Sequence, residues 1–150
     1  MQILEKAEIG GETMREVRTM VTLTNATDQV LVRRGKLRPD EVHTYRADAL
    51  VDTGAVRTVL PTHVVKQLDL AIRGNRVVEL ADGRKETVGL TEPVEIDIDG
   101  RNTIVDVLVL GDEVIIGQTA LQMLDLLVDC SNRRLVPNPA HPDQPVVKIK

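Results

Sequence analysis

The stretch Ala49-Leu50-Val51-Asp52-Thr53-Gly54-Ala55 sets an acid at the end of an aliphatic run. The residues ahead of it read as a buried strand, so Asp52 is delivered toward the interior rather than to the surface. A carboxylate taken there is costly unless it is hydrogen-bonded, paired or used. Thr53 and Gly54 supply a hydroxyl and a permissive backbone where the carboxyl group must be held. Asp52 is therefore the first candidate site residue.

The chain around it favours sheet. It has no Phe or Trp, and Tyr45 is its one aromatic residue. A core of Val, Leu and Ile with frequent Thr suits strands better than helices. From Arg15 to Thr24, the residues Val17, Thr19, Val21 and Leu23 alternate with Arg18, Met20, Thr22 and Thr24, the period of a half-buried strand. Asn25-Ala26-Thr27-Asp28 reads as a turn, Val30 to Val32 as a second strand, and Arg38-Pro39-Asp40 as another turn. A third strand runs from about Val42 into Asp52. Thr58 to Leu60 is a short strand, and Pro61 to about Leu68 a two-turn helix.

Further along, Arg76 to Leu80 and Thr87 to Leu90 flank Ala81-Asp82-Gly83-Arg84, and Asp-Gly between two such runs is a hairpin signal. Val94, Ile96 and Ile98 alternate with acids up to a second Asp-Gly at Asp99-Gly100. Ile104 to Leu110 reads as one strand, apolar apart from Asp106. Val114-Ile115-Ile116-Gly117 repeats the opening shape, an apolar run stopped by glycine, and Gln118 or Thr119 caps a short helix after it. Leu126 to Val128 and Leu135 to Val136 are short strands around Ser131 to Arg134. Pro137, Pro139, Pro142 and Pro145 make the following stretch irregular, and Val146 to Lys150 is a last edge strand or a loose tail.

Length and charge narrow the classes. The 150 residues fit one domain, with a core over about 15–136 and a proline-rich tail over 137–150. A net charge of −4 argues against a nucleic-acid partner, and the basic cluster Arg33 to Arg38 reads as a solvated hairpin end. Cys130 has no partner for an internal disulfide, and it reads as a small, partly buried residue rather than a nucleophile. The first twenty residues carry charges throughout, and no apolar run reaches membrane-spanning length, so the expectation is a cytoplasmic protein with no membrane partner. His43, His63 and His141 are scattered and form no zinc pattern with one cysteine, so no metal or cofactor is expected. The one serine, Ser131, sits in no nucleophile elbow, and no glycine-rich phosphate loop is present.

The order of apolar strand, Asp-Thr-Gly-Ala, strand, short helix, Asp-Gly hairpin, strands, apolar-apolar-Gly and short helix resembles the single-domain, retropepsin-like (clan AA) aspartic proteases. Leu50 to Ala55, the hairpin at Ala81 to Arg84, and Ile115-Ile116-Gly117 carry the resemblance. It implies a mainly β fold, a closed acid-protease barrel with one or two short helices and one lobe per chain. It also implies an aspartic endopeptidase whose chemistry needs two carboxylates. This chain has one such motif, so two chains would each contribute an Asp52 across a twofold axis. Family likeness gives Thr53 a role in bonding the two loops together, while Gly54 lets an amide approach the carboxylate and Ala55 offers it no hydroxyl. Ala81, Asp82, Gly83 and Arg84 become the tip of a flap over a peptide substrate. The termini, Val146 to Lys150 or Ile3-Leu4, become the strands of an intersubunit sheet. Asp69 takes a left-handed position after the helix, which Asp tolerates.

Two other readings stay open at this level. The same fold can serve as a silent dimerisation or peptide-binding module. Asp52 can also be no more than a turn cap in a small β domain.

Overall fold

A computed structural model describes residues 16–149. The lead-in up to Gly11, Arg15 at the head of the first strand, and the Ile3-Leu4 and Lys150 contacts lie outside the described residues. The protein is mainly β. Strand β1 (Val17–Asn25) pairs antiparallel with β2 (Thr44–Val51) along its length, from Val17 opposite Val51 to Thr24 opposite Thr44. On its other side it pairs with β6 (Val94–Ile98). The remaining strands of this sheet are β3 (Val59–Leu60), β4 (Ile72–Glu79), β5 (Lys85–Thr91), β7 (Arg101–Val105), β8 (Leu108–Val109) and β9 (Ile115–Ile116). Their order is β4-β5-β8-β3-β9-β2-β1-β6-β7, and the sheet curls into a half-barrel, one lobe per chain. A separate hairpin joins β10 (Leu126–Asp129) to β11 (Arg134–Pro137).

Period-two patterning explains the strands at the centre. In β1, Val17, Val21 and Leu23 are buried while Met20 and Thr22 face out; in β6, Val94, Ile96 and Ile98 are buried in alternation with Glu95 and Asp97. Asp99 and Gly100 join β6 to β7 with φ of 51° and 86°, the positive pair that a two-residue hairpin turn needs. Asp69 likewise takes φ 52°, as its place after a helix suggests.

Three helices pack on the sheet rather than one or two: α1 (Ala26–Arg33), α2 (Thr62–Gln67) and α3 (Gln118–Leu124). Helix α1 replaces the turn and strand expected over residues 25–32. Asn25 caps it, its side-chain oxygen accepting from Asp28 N at 3.0 Å, so the residues that read as a turn are a helix start. The basic cluster after it is therefore the exposed end of a helix, not of a hairpin. Arg38-Pro39-Asp40 falls at a single 3-10 turn, Pro39–Glu41. Pro61 is the cap of α2 rather than its first residue, and Gly117, not Gln118 or Thr119, caps α3.

The single strand expected from Ile104 to Leu110 is two strands. It breaks at Asp106-Val107, where Thr91 N donates to Val107 O at 3.0 Å and Val107 N to Thr91 Oγ1 at 3.3 Å. The chain thus leaves β6 and crosses to pair β8 with β3 and β5. No strand forms over residues 146–149, and Cys130 is exposed rather than partly buried.

The apolar residues fall into two clusters. The larger gathers β1, β2, β6, α2 and α3 around side chains such as Leu23, Leu68, Ile96 and Leu124. The smaller joins Leu50, Ala55, Val59, Val88, Leu90, Leu108 and Ile115, with Val78 and Leu110 packed against it.

Candidate active site

Asp52 follows the last residue of β2, and the strands beside it fix its place. Leu50 and Val51 pair in parallel with Ile115 and Ile116, and Asp52 N donates to Ile116 O at 3.0 Å. β9 also pairs antiparallel with β3 through Val59 and Ile115, so it lies between the strand entering the loop and the strand leaving it. Asp52 is 2% exposed. Its Oδ1 accepts from Gly54 N at 2.8 Å, and its carbonyl accepts from Ala55 N at 3.1 Å. The tight turn leaves Thr53 and Gly54 exposed at the tip and buries Ala55 in the smaller cluster. Asp52, Thr53, Gly54 and Ala55 thus form one loop, with a carboxylate gripped from its own backbone.

The far side of that loop is held by the start of α3. Gln118 N donates to Ala55 O at 2.7 Å, Thr119 N to Val56 O at 3.0 Å, and Gly117 N to Thr58 Oγ1 at 3.2 Å. A Cβ on Gly117 would lie 2.6 Å from both the carbonyl carbon and the oxygen of Arg57, and 2.9 Å from Ala55 O. The backbones approach too closely for any side chain there. The glycine that ends the second apolar run is a spacing requirement of the loop.

β4 and β5 form the expected hairpin. Leu80 N donates to Arg84 O at 2.7 Å, Gly83 N to Leu80 O at 2.9 Å, and Gly83 takes φ 86°. Asp82 accepts from Arg84 N at 2.9 Å and from Arg84 Nε at 2.6 Å. The Arg84 amide and then its guanidinium hold the Asp82 carboxyl below the usual carboxylate range. Within Ala81 to Arg84 the side-chain bonds run between Asp82 and Arg84, and the backbone bonds close on Leu80. The connection of these residues to Asp52 runs through the hairpin's base, where Val78, Val88 and Leu90 share the smaller cluster with Leu50 and Ala55.

An ion pair beside the loop escapes sequence reading. Arg57 Nη2 bonds the carboxylate of Asp106 and approaches its carbonyl oxygen at 3.5 Å, anchoring the loop's exit to the break between β7 and β8. The sequence signal is a lone anion, Asp106, inside an otherwise apolar run, and a lone cation, Arg57, just ahead of the strand that leaves the loop. Thr58, the acceptor for Gly117 N, was missed as a site support because a threonine in a strand carries no such mark. Among the described residues no group of three or more His, Cys, Asp or Glu side chains could hold a metal ion. No helix there is long and apolar enough to cross a membrane.

No curated protein sequence matches the chain. Among solved structures it is similar to the EIAV protease complexed with the inhibitor HBY-793, at 21% identity over 71% of this chain and 86% of that one, with a TM-score of 0.48. It is also similar to the simian foamy virus (mac) protease, at 14% identity over 73% of this chain and 93% of that one, with a TM-score of 0.44. A family model described as "gag-polyprotein putative aspartyl protease" matches residues 41–123. That span is more than half of the 150 residues and holds the Asp52 loop, the hairpin and Gly117 together. The chain belongs to this retropepsin-like aspartyl protease family.

Proposed function

We propose that the protein is an aspartic endopeptidase that works as a homodimer, with Asp52 of each chain forming one catalytic pair. The observation that carries this reading is the Asp52 loop: a buried carboxylate at a strand end, held by the Gly54 amide and braced by α3. Such a loop supplies one carboxylate, and water-mediated peptide hydrolysis of this kind uses two. Thr53 and Gly54 are exposed in the single chain, where a second loop can meet them. Exposed apolar side chains of Leu127, Val146, Val147 and Ile149 are candidates for the rest of the contact.

Two carboxyls held about 3 Å apart do not both ionise, so they share one proton and titrate as a unit. The ionised member takes a proton from water as the water oxygen attacks the scissile carbonyl carbon. The protonated member donates to the developing oxyanion. Collapse of the tetrahedral intermediate breaks the C–N bond, and the amine leaves with a proton from the pair. No covalent enzyme intermediate forms, so no further nucleophile is needed.

In this reading the β4–β5 hairpin acts as the flap, with Ala81 to Arg84 at its tip, closing over substrate and excluding water. The aliphatic composition of the chain, with no Phe or Trp, favours aliphatic substrate side chains. The paired test is cleavage of a peptide library by the wild-type protein and by Asp52→Asn, with sedimentation to report the dimer. The expected result is a dimer in both and cleavage in the wild type alone. Equal cleavage by the two proteins would overturn the assignment.

A further inference from the structure

Holding Asp52 in place does not account for the charges around Asp106. Arg57 reaches one carboxylate oxygen of Asp106, and Arg73 Nη1 lies 3.7 Å from the other. Arg73 arrives there because it is the extra residue of a bulge: Ile72 pairs with Thr91 and Gly74 with Leu90, leaving Arg73 unopposed. Bulges re-aim side chains in this way. Two guanidiniums therefore share one carboxylate, leaving an excess of one positive charge where the loop's exit meets the foot of the flap.

Both cations keep exposed surface beyond their contact with Asp106. The side chains of Arg57 and Arg73 are 38% and 57% exposed, and among the described residues Asp106 is the one acid paired with either. Guanidinium nitrogens thus remain for another acceptor, and the planar fork suits a second carboxylate. A cleft of about 220 Å³ opens beside Arg57 and Asp106, between Val56 to Thr58, Val105, and Thr119 to Ala120, with Arg73 reaching Asp106 from the other carboxylate oxygen. That is below the roughly 300–1,000 Å³ of small-molecule sites, and of the size that takes one side chain.

We infer that Arg57 and Arg73 form a subsite for a carboxylate side chain of the bound peptide, so the protein selects chains carrying Asp or Glu near the scissile bond. The inference rests on the peptidase reading of Asp52. A twofold dimer carries one subsite in each lobe, so acids are favoured on both sides of the cleaved bond. Asp106 sets the strength of the subsite by competing for the same two cations.

The test uses a set of fluorescent aliphatic peptides in which one position at a time carries Glu or Gln. Binding to the dimeric Asp52→Asn protein is read by anisotropy at low salt. At one position on each side, Glu peptides should bind about three- to fivefold more tightly than Gln peptides, the range for half-exposed ion pairs. Arg57→Gln should abolish that ratio. Arg73→Gln should reduce it, and stands in if the first variant fails to fold. Asp106→Asn should raise the ratio, whereas loss of a merely structural bridge would leave it unchanged. An equal Glu/Gln ratio in the parent and both arginine variants, or no binding of any peptide, overturns the subsite. Wild-type cleavage of the same peptides separates the two readings. Cleavage without acid preference removes the subsite and keeps the peptidase; Arg57-dependent binding without cleavage does the reverse.

Discussion

The carbonyl oxygen of Ala55 accepts from the amide of Gln118 at 2.7 Å, which ties the end of the Asp52 loop to the first residue of α3. Gly117 makes this contact possible, because a Cβ there would overlap the Arg57 carbonyl at 2.6 Å. Gly117→Ala must push residues 55–57 away from α3. The expected cost is about 1–3 kcal/mol in denaturant unfolding, as for other overpacked sites. The loss of peptide cleavage should exceed what the unfolded fraction explains.

Asn25 is expected to matter beyond its own helix. Its side chain caps α1 and also donates to Leu68 O at 2.9 Å and Asp69 O at 3.3 Å, at the end of α2. Asn25→Ala removes a cap and strands buried carbonyls, so the denaturation midpoint should fall by the equivalent of about 2 kcal/mol. Asn25→Asp keeps the cap but loses the donors. It also turns a buried carboxylate oxygen on the two carbonyls, so it should recover none of that loss.

Stability should depend on His43. Its Nδ1 lies 2.7 Å from the Asp28 carboxylate, and that hydrogen bond raises its pKa above the ordinary 6.5. A raised histidine stabilises the folded state fully below its unfolded pKa, and the contribution fades as pH climbs through the folded value. Unfolding of the wild type and His43→Gln should therefore differ most near about pH 5 and converge in alkali. A gap that widens with rising pH would contradict this pairing.

What the sequence made legible was whatever rests on period and turn chemistry. The alternation in β1 and β6, the Asp-Gly turns at 82–83 and 99–100, and the Asp52 run each carry their cause locally. Helix α1 was not legible, because Asn25-Ala26-Thr27-Asp28 suits a turn and a helix cap equally, and contacts with residues 43 and 68 decide between them. The break at Asp106 was hidden for a similar reason. Its partners are distant in sequence: Arg57 bonds Asp106 from 49 positions away, Thr91 bonds Val107, and the chain crosses to β8.

The central claim is that one active site needs Asp52 from two chains. Mixing wild-type and Asp52→Asn subunits, with full exchange at fixed total protein, measures it directly through peptide cleavage. If both carboxylates are required, activity follows the square of the wild-type fraction, about a quarter at equal mixing. Activity that falls in simple proportion, to about half at equal mixing, would mean that each Asp52 works alone and would contradict the account.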